Sequence, residues 1–480
     1  MFSEQLQPAD VFSYFEALTK IPRESGQERA VSDYLVAFGK ELGLEVIQEP
    51  CMNVIIKKPA SPGYENAPTV ILQGHMDMVC VKADDSDFDF ATEPLPVYVE
   101  GDWIKTKGTT LGADNGIAVA MSMALLADKE AKHPALEVLI TVEEETGMDG
   151  ALHLNPENLS GQILINMDSD NEGVATVSCA GGGRCLLELP LEFEAVPADL
   201  KAYQIVISGL KGGHSGVEIG EGRANANKLM GRLLHALGKE GVRIASLNGG
   251  EKDNAISKRA EMAVLAKASC DVQKLASDFE GIIANEFLET DPHIKVSVTQ
   301  IEQPESVMSE TSAKSAAGIL QLVPFGPQTM SFAIKGLVES SNNPGVVSQT
   351  ENKLVVTNAV RSSVGSSKRA IYDQLQTIAD LTGAKVSLQS DYPEWQYAPK
   401  SRIRDLMAEI YPKASGKELK IEAIHAGLEC GFLGEKLGDI DMVSIGPNMK
   451  DIHTPKERLS ISSTANVYKF VKMVLEALDS

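Results

Sequence analysis

The sequence has few of the features that mark secreted or membrane proteins. Its 480 residues include only six cysteines, which form neither a CxxC pair nor a dense framework, and this indicates a reducing, cytoplasmic environment. The first residues show no basic segment followed by an apolar run, and no uninterrupted apolar stretch reaches the length of a membrane span. We therefore expect a cytoplasmic protein without a signal peptide or a transmembrane helix.

The chain also has few basic residues relative to acidic ones. The chain carries 44 Lys and Arg against 67 Asp and Glu, which gives a formal net charge of -23. This charge repels nucleic-acid phosphates and anionic membrane surfaces, so neither is an expected partner. Hydrophobic residues make up 43% and charged residues 23%, as in soluble globular proteins, and the chain is too long for one ordinary core. We therefore expect two domains.

Short apolar runs alternate with helical patterns near both ends of the chain. This alternation predicts an α/β fold with a mainly parallel sheet flanked by helices. Ligands of such sheets bind outside the carboxyl ends of the strands, where polar residues from distant segments meet. The predicted strands cover residues 69–73, 136–142, 162–167 and 441–445, and the predicted helices cover two segments within 8–44 and residues 115–128 and 462–478.

The middle of the chain has a different pattern, which indicates an inserted α+β domain over residues 186–391. The first domain is then discontinuous and consists of residues 1–185 and 392–480. Predicted elements of the insertion cover residues 203–208, 224–237, 294–299, 330–338, 354–361 and 368–381.

Several histidines and carboxylates have two explanations each. His75 is a core histidine satisfied by Asp77, or a metal ligand whose tautomer Asp77 fixes. Asp114 precedes a predicted helix, so it is an N-cap or a carboxylate shared by two cations. Asp168 and His453 are equally typical of polar loops. None of these residues decides the question alone.

Three consecutive glutamates, Glu143 to Glu145, follow a predicted strand. They form a solvated strand end, or their mutual repulsion is relieved by a cation. In the second case one glutamate binds the cation and its neighbour acts as a base. His214 and His425 lie in the glycine-rich segments GGHSG and HAGLECG, where a turn is as good an explanation as a site.

Considered together, these residues make a stronger case because their order, spacing and strand context agree. Imidazole and carboxylate are the ligands of borderline and hard cations. Two cations that share a carboxylate can make a nucleophile from water. The sequence therefore predicts metal-assisted hydrolysis.

Over essentially its whole length the chain resembles the M20 family of metallopeptidases. Within that family the resemblance is greatest to the aminoacyl-histidine (Xaa-His) dipeptidases, and GADNGIA together with HAGLECG indicates this branch. One departure is visible, because Glu143 stands where the family usually has Asp, which is a conservative change. The matching segments are LQGHMDMV, GTTLGADNGIA, TVEEETGMDGA, INMDSD, GLKGGHSG, NGGEKDNAI, VRSS, HAGLECG and IHTPKE.

The resemblance implies two zinc ions per subunit, for which cobalt or manganese could substitute. One zinc would be bound by His75 and Asp168, and the other by Glu145 and His453. Asp114 would bridge the two ions.

The resemblance also implies roles beside the ions. Asp77 would orient His75, and Glu144 would be the general base. In relatives the peptide bond after the bridging aspartate is cis, so the Asp114–Asn115 bond is expected to be cis.

Family members dimerise through the inserted domain, which acts as a lid, and the histidine of HSG reaches the partner subunit's active site. His214 would thus stabilise the oxyanion there. Arg361 would hold the terminal carboxylate of the substrate, since guanidinium binds carboxylate in a bidentate manner. Asn254, His425 and Gly427 would line the substrate pocket.

The implied activity is hydrolysis of the peptide bond of short peptides, preferentially Xaa-His dipeptides including β-Ala-His. Two alternatives remain. Another hydrolase of the family, such as a tripeptidase or an N-acyl-amino-acid deacylase, would have the same ligands and a different pocket. A non-catalytic peptide-binding protein would be expected to have lost some of the ligands, and here all five are present.

Overall fold

The computed structural model describes residues 2–478, which form two compact units. Unit 1 contains the residues up to Ser178, Tyr397–Ala423 and the residues from Glu429 onward. Unit 2 contains Cys179–Gln396 and Ile424–Leu428. The short segment 424–428, which the sequence places in the first domain, belongs to unit 2.

The chain begins with helices and short strands of unit 1. The helices are α1 (Ala9–Leu18), α2 (Arg29–Glu41), α3 (Ala113–Ala127) and α4 (Asp149–His153). The strands are β1 (Glu45–Gln48), β2 (Val54–Lys58), β3 (Val70–His75), β4 (Val97–Glu100), β5 (Trp103–Thr106), β6 (Leu136–Thr141), β7 (Ile163–Asn166) and β8 (Val174–Cys179).

Unit 2 follows with long strands and four helices. The helices are α5 (Ala226–Gly238), α6 (Val272–Glu286), α7 (Glu310–Leu322) and α8 (Gly365–Thr382). The strands are β9 (Gly181–Pro190), β10 (Phe193–Ala195), β11 (Leu200–Ser208), β12 (Gly213–His214), β13 (Arg243–Gly249), β14 (Ala255–Ile256), β15 (Ala260–Lys267), β16 (Lys295–Ile301), β17 (Ser306–Met308), β18 (Gly326–Met330), β19 (Val338–Gln349), β20 (Lys353–Ser362) and β21 (Lys385–Tyr392).

Across residues 2–478, no helix is both long enough and apolar enough to span a bilayer.

The last part of the chain returns to unit 1. The final helices are α9 (Arg402–Ser415), α10 (Cys430–Leu437) and α11 (Ile461–Glu476), and the final strands are β22 (Lys420–Ile424), β23 (Asp441–Ser444), β24 (Met449–Lys450) and β25 (Arg458–Ser460).

Unit 1 is built on an eight-stranded sheet in the order β1-β2-β6-β3-β7-β23-β8-β22. The four adjacent strands β6, β3, β7 and β23 are parallel, and the pairs β1–β2, β2–β6 and β23–β8 are antiparallel. Every residue of β3, β6 and β7 is buried, as expected of parallel strands covered on both faces. The four predicted strands of this sheet are therefore confirmed, and their carboxyl ends lie at one edge.

Unit 2 contains a nine-stranded antiparallel sheet in the order β16-β11-β15-β13-β19-β20-β9-β21, with β18 paired to β19. Its helices α5 to α8 contribute apolar side chains to one large core cluster with the strands, for example Leu233, Ile283, Ile319 and Leu375. The unit is an α+β structure. Five of the six elements predicted in the insertion correspond to a strand or a helix.

The prediction for residues 330–338 is wrong. Strand β18 ends at Met330 and β19 begins at Val338, and these two residues are paired in the ladder. The chain therefore reverses between them, and the amide of Ser331 closes the loop on the carbonyl of Leu337 at 2.9 Å. Gly336 has φ +84°, a left-handed conformation that a regular strand does not allow. The apolar composition of this segment gave no sign of the turn.

A lysine closes the carboxyl end of helix α7 in unit 2. The ammonium group of Lys228 donates to the carbonyls of Leu320, Gln321 and Val323 at 2.8, 3.0 and 2.5 Å. A cation suits these carbonyls because the last turn of a helix has no amide partners for them.

Lys228→Met is therefore expected to lower the free energy of unfolding by about 2 kcal/mol, since hydrogen bonds of a charged donor are lost together. Urea unfolding followed by circular dichroism would measure this. Lys314→Met, on the exposed side of the same helix, is the control and should change little. Equal stability of the two variants would contradict the capping role.

Candidate metal centre

The candidate centre lies in unit 1, where strands β3, β6 and β7 end. His75 is the last residue of β3, Glu144 and Glu145 follow β6, and Asp168 follows β7. The parallel register brings these ends together, and helix α3 adds Asp114 from its first turn. His453 comes from the loop between β24 and β25.

Asp114 is the centre of the group. One of its carboxylate oxygens lies 3.2 Å from Nε2 of His75, and the other lies 3.2 Å from Nε2 of His453. Nε2 of His453 is also 2.9 Å from Oε1 of Glu145, and Nε2 of His75 is 3.4 Å from Oδ1 of Asp168. The carboxylate thus faces a different histidine with each oxygen, and helix α3 has no side-chain cap.

Potential ligand atoms form overlapping groups within 4.8 Å of one another. One group is His75, Asp114 and Asp168, and another is Asp114, Glu145 and His453. They share only Asp114, as two cations bridged by a carboxylate would require. A third group, His75, Glu144 and Glu145, shares members with both. The structure therefore shows a possible metal site at the predicted residues.

Asp77 fixes the orientation of His75 by contacting its Nδ1 atom. Its Oδ1 lies 3.2 Å from Nδ1 of His75, which leaves Nε2 directed at Asp114. The Asp77 carboxylate also accepts the amides of Glu144 and Glu145 at 3.2 and 3.3 Å and the hydroxyl of Ser25 at 2.7 Å. One buried carboxylate thus fixes both a histidine and the backbone of the glutamates.

Burial and charge determine how these groups hold protons. Burial lowers the pKa of His75, but the carboxylates of Asp168, Asp114 and Asp77 more than compensate and raise it well above its usual value. Hydrogen bonds to Asp114 and Glu145 raise the pKa of His453 to about 10. Burial raises the pKa of Asp168 to about 7, against the opposing effect of His75. These groups keep protons that a cation would displace.

Glu144 differs from its neighbours. Burial raises its pKa well above the usual range, and the nearby carboxylates of Asp168, Glu429 and Glu145 add to this against the opposing effect of His75. A carboxylate group with a raised pKa is a stronger base, so it is suited to accept a proton and pass it on. The side chain of Glu143 lies beside Asp149, and burial and Asp149 raise its pKa.

Two backbone features of the centre are unusual. The Asp114–Asn115 peptide bond is cis, so this prediction is confirmed. His453 has φ +61°, a left-handed conformation that costs a non-glycine residue about 1–2 kcal/mol. Strain of this kind persists where the surrounding structure demands a particular side-chain position.

The sequence did not reveal several residues that support the centre. Glu429 is fully buried and accepts hydrogen bonds from Gln73 and Thr141, at 2.6 and 2.8 Å, beside the ends of β3 and β6. Burial raises its pKa to about 7. Asn115 accepts the amide of His75 at 3.2 Å. The only sequence signal for Glu429 is its place in HAGLECG, two residues after Gly427.

The other five predicted site residues all lie in unit 2: His214, Asn254, Arg361, His425 and Gly427. Nδ1 of His214 accepts the amides of Gly216 and Val217 at 3.1 and 3.2 Å, so a neutral ring carries its proton on Nε2. Burial and the charge of Arg361 lower the pKa of His214. His214 is therefore a neutral hydrogen-bond donor.

Arg361 and His425 each contact a hydroxyl group in unit 2, and the charge of Arg361 acts on His425. Arg361 donates to the hydroxyl of Tyr392 at 2.8 Å, and Nε2 of His425 lies 2.7 Å from Oγ of Ser341. Burial, followed by Arg361 and His214, lowers the pKa of His425 to about 3. The carbonyl of Asn254 accepts the amide of Ser215, next to His214, at 2.9 Å.

The chain is similar to several known proteins along its whole length. Residues 71–477 match the sequence profile of Peptidase family M20/M25/M40. The cytosol non-specific dipeptidase of Escherichia coli (strain K12) is 37% identical over 99% of this chain and 98% of its own length. The crystal structure of aminoacylhistidine dipeptidase from Vibrio alginolyticus, also 37% identical, superposes with a TM-score of 0.95 and covers 99% of this chain and 98% of its own. An aminopeptidase from Bacillus cereus shares the fold at 16% identity, with a TM-score of 0.57 over 99% of this chain and 100% of its own.

Proposed function

Because the chain belongs to the M20 family of peptidases, we propose that it is a metal-dependent dipeptidase that prefers dipeptides ending in histidine, β-Ala-His included. Full-length similarity to a dipeptidase and to an aminoacylhistidine dipeptidase supports this activity. The observation that carries the proposal is the pair of ligand groups sharing Asp114. The name of the Escherichia coli relative supports a cytoplasmic location.

The donor set fits two zinc ions. His75 and Asp168 would hold one ion and Glu145 and His453 the other, with Asp114 between them. Five donors from imidazole and carboxylate suit zinc, and cobalt or manganese would be accepted as well. When bound, the ions would lower the pKa of water and polarise the peptide carbonyl.

Side chains of the protein carry out the proton transfers of the reaction. Glu144 accepts a proton from the attacking water at its carboxylate and delivers it to the leaving amine. Asp77 keeps Glu144 in place through the amide that it accepts. It also binds the Nδ1 side of His75, so that Nε2 is the nitrogen left to face a metal. The hydrolysis thus needs no covalent intermediate with the protein.

Residues of unit 2 would bind the substrate. Arg361 would hold the terminal carboxylate, and the Nε2 proton of His214 would stabilise the oxyanion. Asn254, His425 and Gly427 would line the pocket around the second residue of the dipeptide. A neutral His425 lets a substrate imidazole approach without charge repulsion.

A substrate panel tests the proposal. Amine release is measured from β-Ala-His, Leu-His, Leu-Gly-Gly and an N-acetyl amino acid, with metal-stripped protein before and after addition of zinc. Zinc-restored cleavage of the two histidine dipeptides alone is the expected result. Cleavage of the tripeptide or the acylated amino acid instead would assign the site to another hydrolase of the family. Binding of two ions without any cleavage would indicate a peptide-binding protein.

We further propose that the active protein is a homodimer formed through unit 2, with His214 acting in the partner subunit's active site. Mixing of two inactive variants, His214→Ala and Glu144→Ala, should then restore activity. Random pairing makes half of the dimers mixed, and each mixed dimer has one intact site, so about a quarter of normal activity is expected. Subunit exchange is verified with differently tagged chains. No recovery in proven mixed dimers would place His214 in its own subunit's site.

Metal binding is expected to release protons. His453 has a pKa of about 10 and Asp168 one of about 7, so both groups hold protons near neutral pH that a cation must displace. Zinc affinity should therefore rise between about pH 6 and 8, by about tenfold per pH unit for each proton released. Calorimetric titration of metal-stripped protein, in buffers of different ionisation enthalpy, counts these protons. Affinity that does not change with pH would contradict the assignment.

A further inference from the structure

The turn that carries Asp114 is held from two sides by buried residues of opposite charge, Arg23 and Glu457. We propose that this pair, the Arg23–Glu457 clamp, positions the Asp114 carboxylate between the two metal ions and sets the metal affinity of the centre. The inference rests on the proposed two-metal site. It assigns a role to two residues outside the proposed ligand set, which bind the ligand-bearing segments through backbone groups.

Glu457 binds the turn through backbone amides. One of its carboxylate oxygens accepts the amides of Leu111 and Gly112 at 2.7 and 3.0 Å, and the other accepts those of Ala113 and Asp114 at 2.8 and 3.3 Å. The side chain of Glu457 is only 2% exposed. Four consecutive amides thus converge on one carboxylate, which fixes the turn more firmly than a single cap would.

Arg23 binds the same turn from its carbonyl side. Its guanidinium donates to the carbonyl of Gly112 and also to the carbonyls of Met76 and Asp77, at 2.9 and 3.2 Å. Arg23 is 2% exposed, and the charges of Glu457 and Asp77 support its protonated form against burial. The turn is thereby tied to the segment that follows His75.

Two glycines make room for this contact. A Cβ on Gly112 would lie 2.4 Å from Nη2 of Arg23, and a Cβ on Gly116 would lie 2.6 Å from the same atom. Gly112 also has φ +64°. The glycines on either side of Asp114 are therefore explained by the guanidinium, which any larger side chain would displace.

The clamp connects three ligand-bearing segments. Glu457 lies four residues after His453, its amide partners end at Asp114, and Arg23 reaches the backbone beside His75. A shift of the turn would move Asp114 relative to both histidines. Removal of one charge would also leave the other buried without its counter-charge.

The test compares Glu457→Gln with Glu137→Gln. Glutamine at 457 would direct an NH2 group at amide donors, which pushes the turn away. Glu137 is a matched control at the opposite end of β6: it is 3% exposed, and one of its oxygens accepts the amides of Ser160 and Gly161 at 2.8 and 2.9 Å. Both variants lose the same kind of contact, but only one of them lies beside the centre.

The measurements are zinc affinity by competition with a chromophoric chelator, the number of bound ions by elemental analysis, and the visible spectrum of the cobalt-substituted protein. Glu457→Gln is expected to weaken zinc binding about 10- to 100-fold, as loss of a supporting partner does, and to alter the cobalt spectrum. Glu137→Gln should keep the affinity and spectrum of the unmodified protein. Circular dichroism verifies that each variant is folded.

Two outcomes would overturn the inference: zinc affinity of Glu457→Gln within about threefold of normal, or an equal loss in both variants. If Glu457→Gln does not fold, Arg23→Lys decides, because lysine keeps the charge but cannot reach all three carbonyls. An intermediate loss of affinity supports the clamp, and normal affinity refutes it. Failure of the proposed metal site is a separate result, since the unmodified protein would then bind no zinc, and failure of the proposed activity would leave its zinc affinity unchanged.

Discussion

Glu144→Gln is expected to reduce kcat by about 10²- to 10⁴-fold, which is the usual contribution of a general base, while two metal ions stay bound. The amide is nearly the same size as the carboxylate and cannot accept the proton. The backbone amide of Glu144 remains bonded to Asp77, so Glu145, a proposed metal ligand, keeps its place.

Glu143→Gln is the matched control because it removes a carboxylate one position earlier in the same segment. Its kcat should stay within about twofold of normal, since proton transfer requires a base within hydrogen-bond reach of the reacting atom. Steady-state kinetics with β-Ala-His and elemental analysis of both variants give the comparison. Near-normal turnover of Glu144→Gln, or equal losses in the two variants, would remove Glu144 from its role.

Asp114→Asn is expected to lower metal binding from two ions to at most one. The Asp114 carboxylate contacts His75 and His453 through different oxygens, and an amide can offer only one oxygen to a cation. Loss of a partner outside the metal shell weakens binding up to about 100-fold, so loss of a shared ligand should exceed that. Activity should fall to that of metal-stripped protein.

Asp128→Asn is the control for this prediction. Asp128 lies at the other end of helix α3 and pairs with Lys472 at 2.6 Å, away from the centre. It should bind two ions as before. Metal content is measured after dialysis against a fixed free zinc concentration. Two ions retained in Asp114→Asn would mean that Asp114 does not bridge them.

The sequence was sufficient to predict the strands that lead to the centre and the side chains that follow them. Fully buried parallel strands appear as short apolar runs, and a cluster of His, Asp and Glu after such a run is a local signal. His75, Asp168 and the run of three glutamates were candidates for this reason, and the family resemblance then selected Glu145 as a ligand. Asp114 and His453 became candidates only in combination with the other residues, and the family resemblance favoured a bridging Asp114 over a helix N-cap.

Long-range contacts were beyond the reach of a single sequence. Arg23 reaches carbonyls 53 and 89 residues away, and Glu457 binds amides more than 300 residues away. No periodicity or spacing connects such partners. The prediction for residues 330–338 was wrong for the opposite reason. Their apolar composition was interpreted as regular structure, although a turn containing Gly336 reverses the chain there. Burial and backbone conformation, which decide both cases, emerge only from tertiary packing.

The position of strand β23 has a consequence for biosynthesis. In the sheet of unit 1 it lies between β7 and β8, and the bonded residues Asn166 and Ser444 are 278 positions apart. A ribosome adds about 5–20 residues per second, so β7 leaves the ribosome tens of seconds before its neighbour exists. During that interval the nascent chain exposes an apolar, unpaired strand edge, which is a template for aggregation. We therefore expect chaperones to hold unit 1 until translation passes Ser444, and chains released earlier to be degraded.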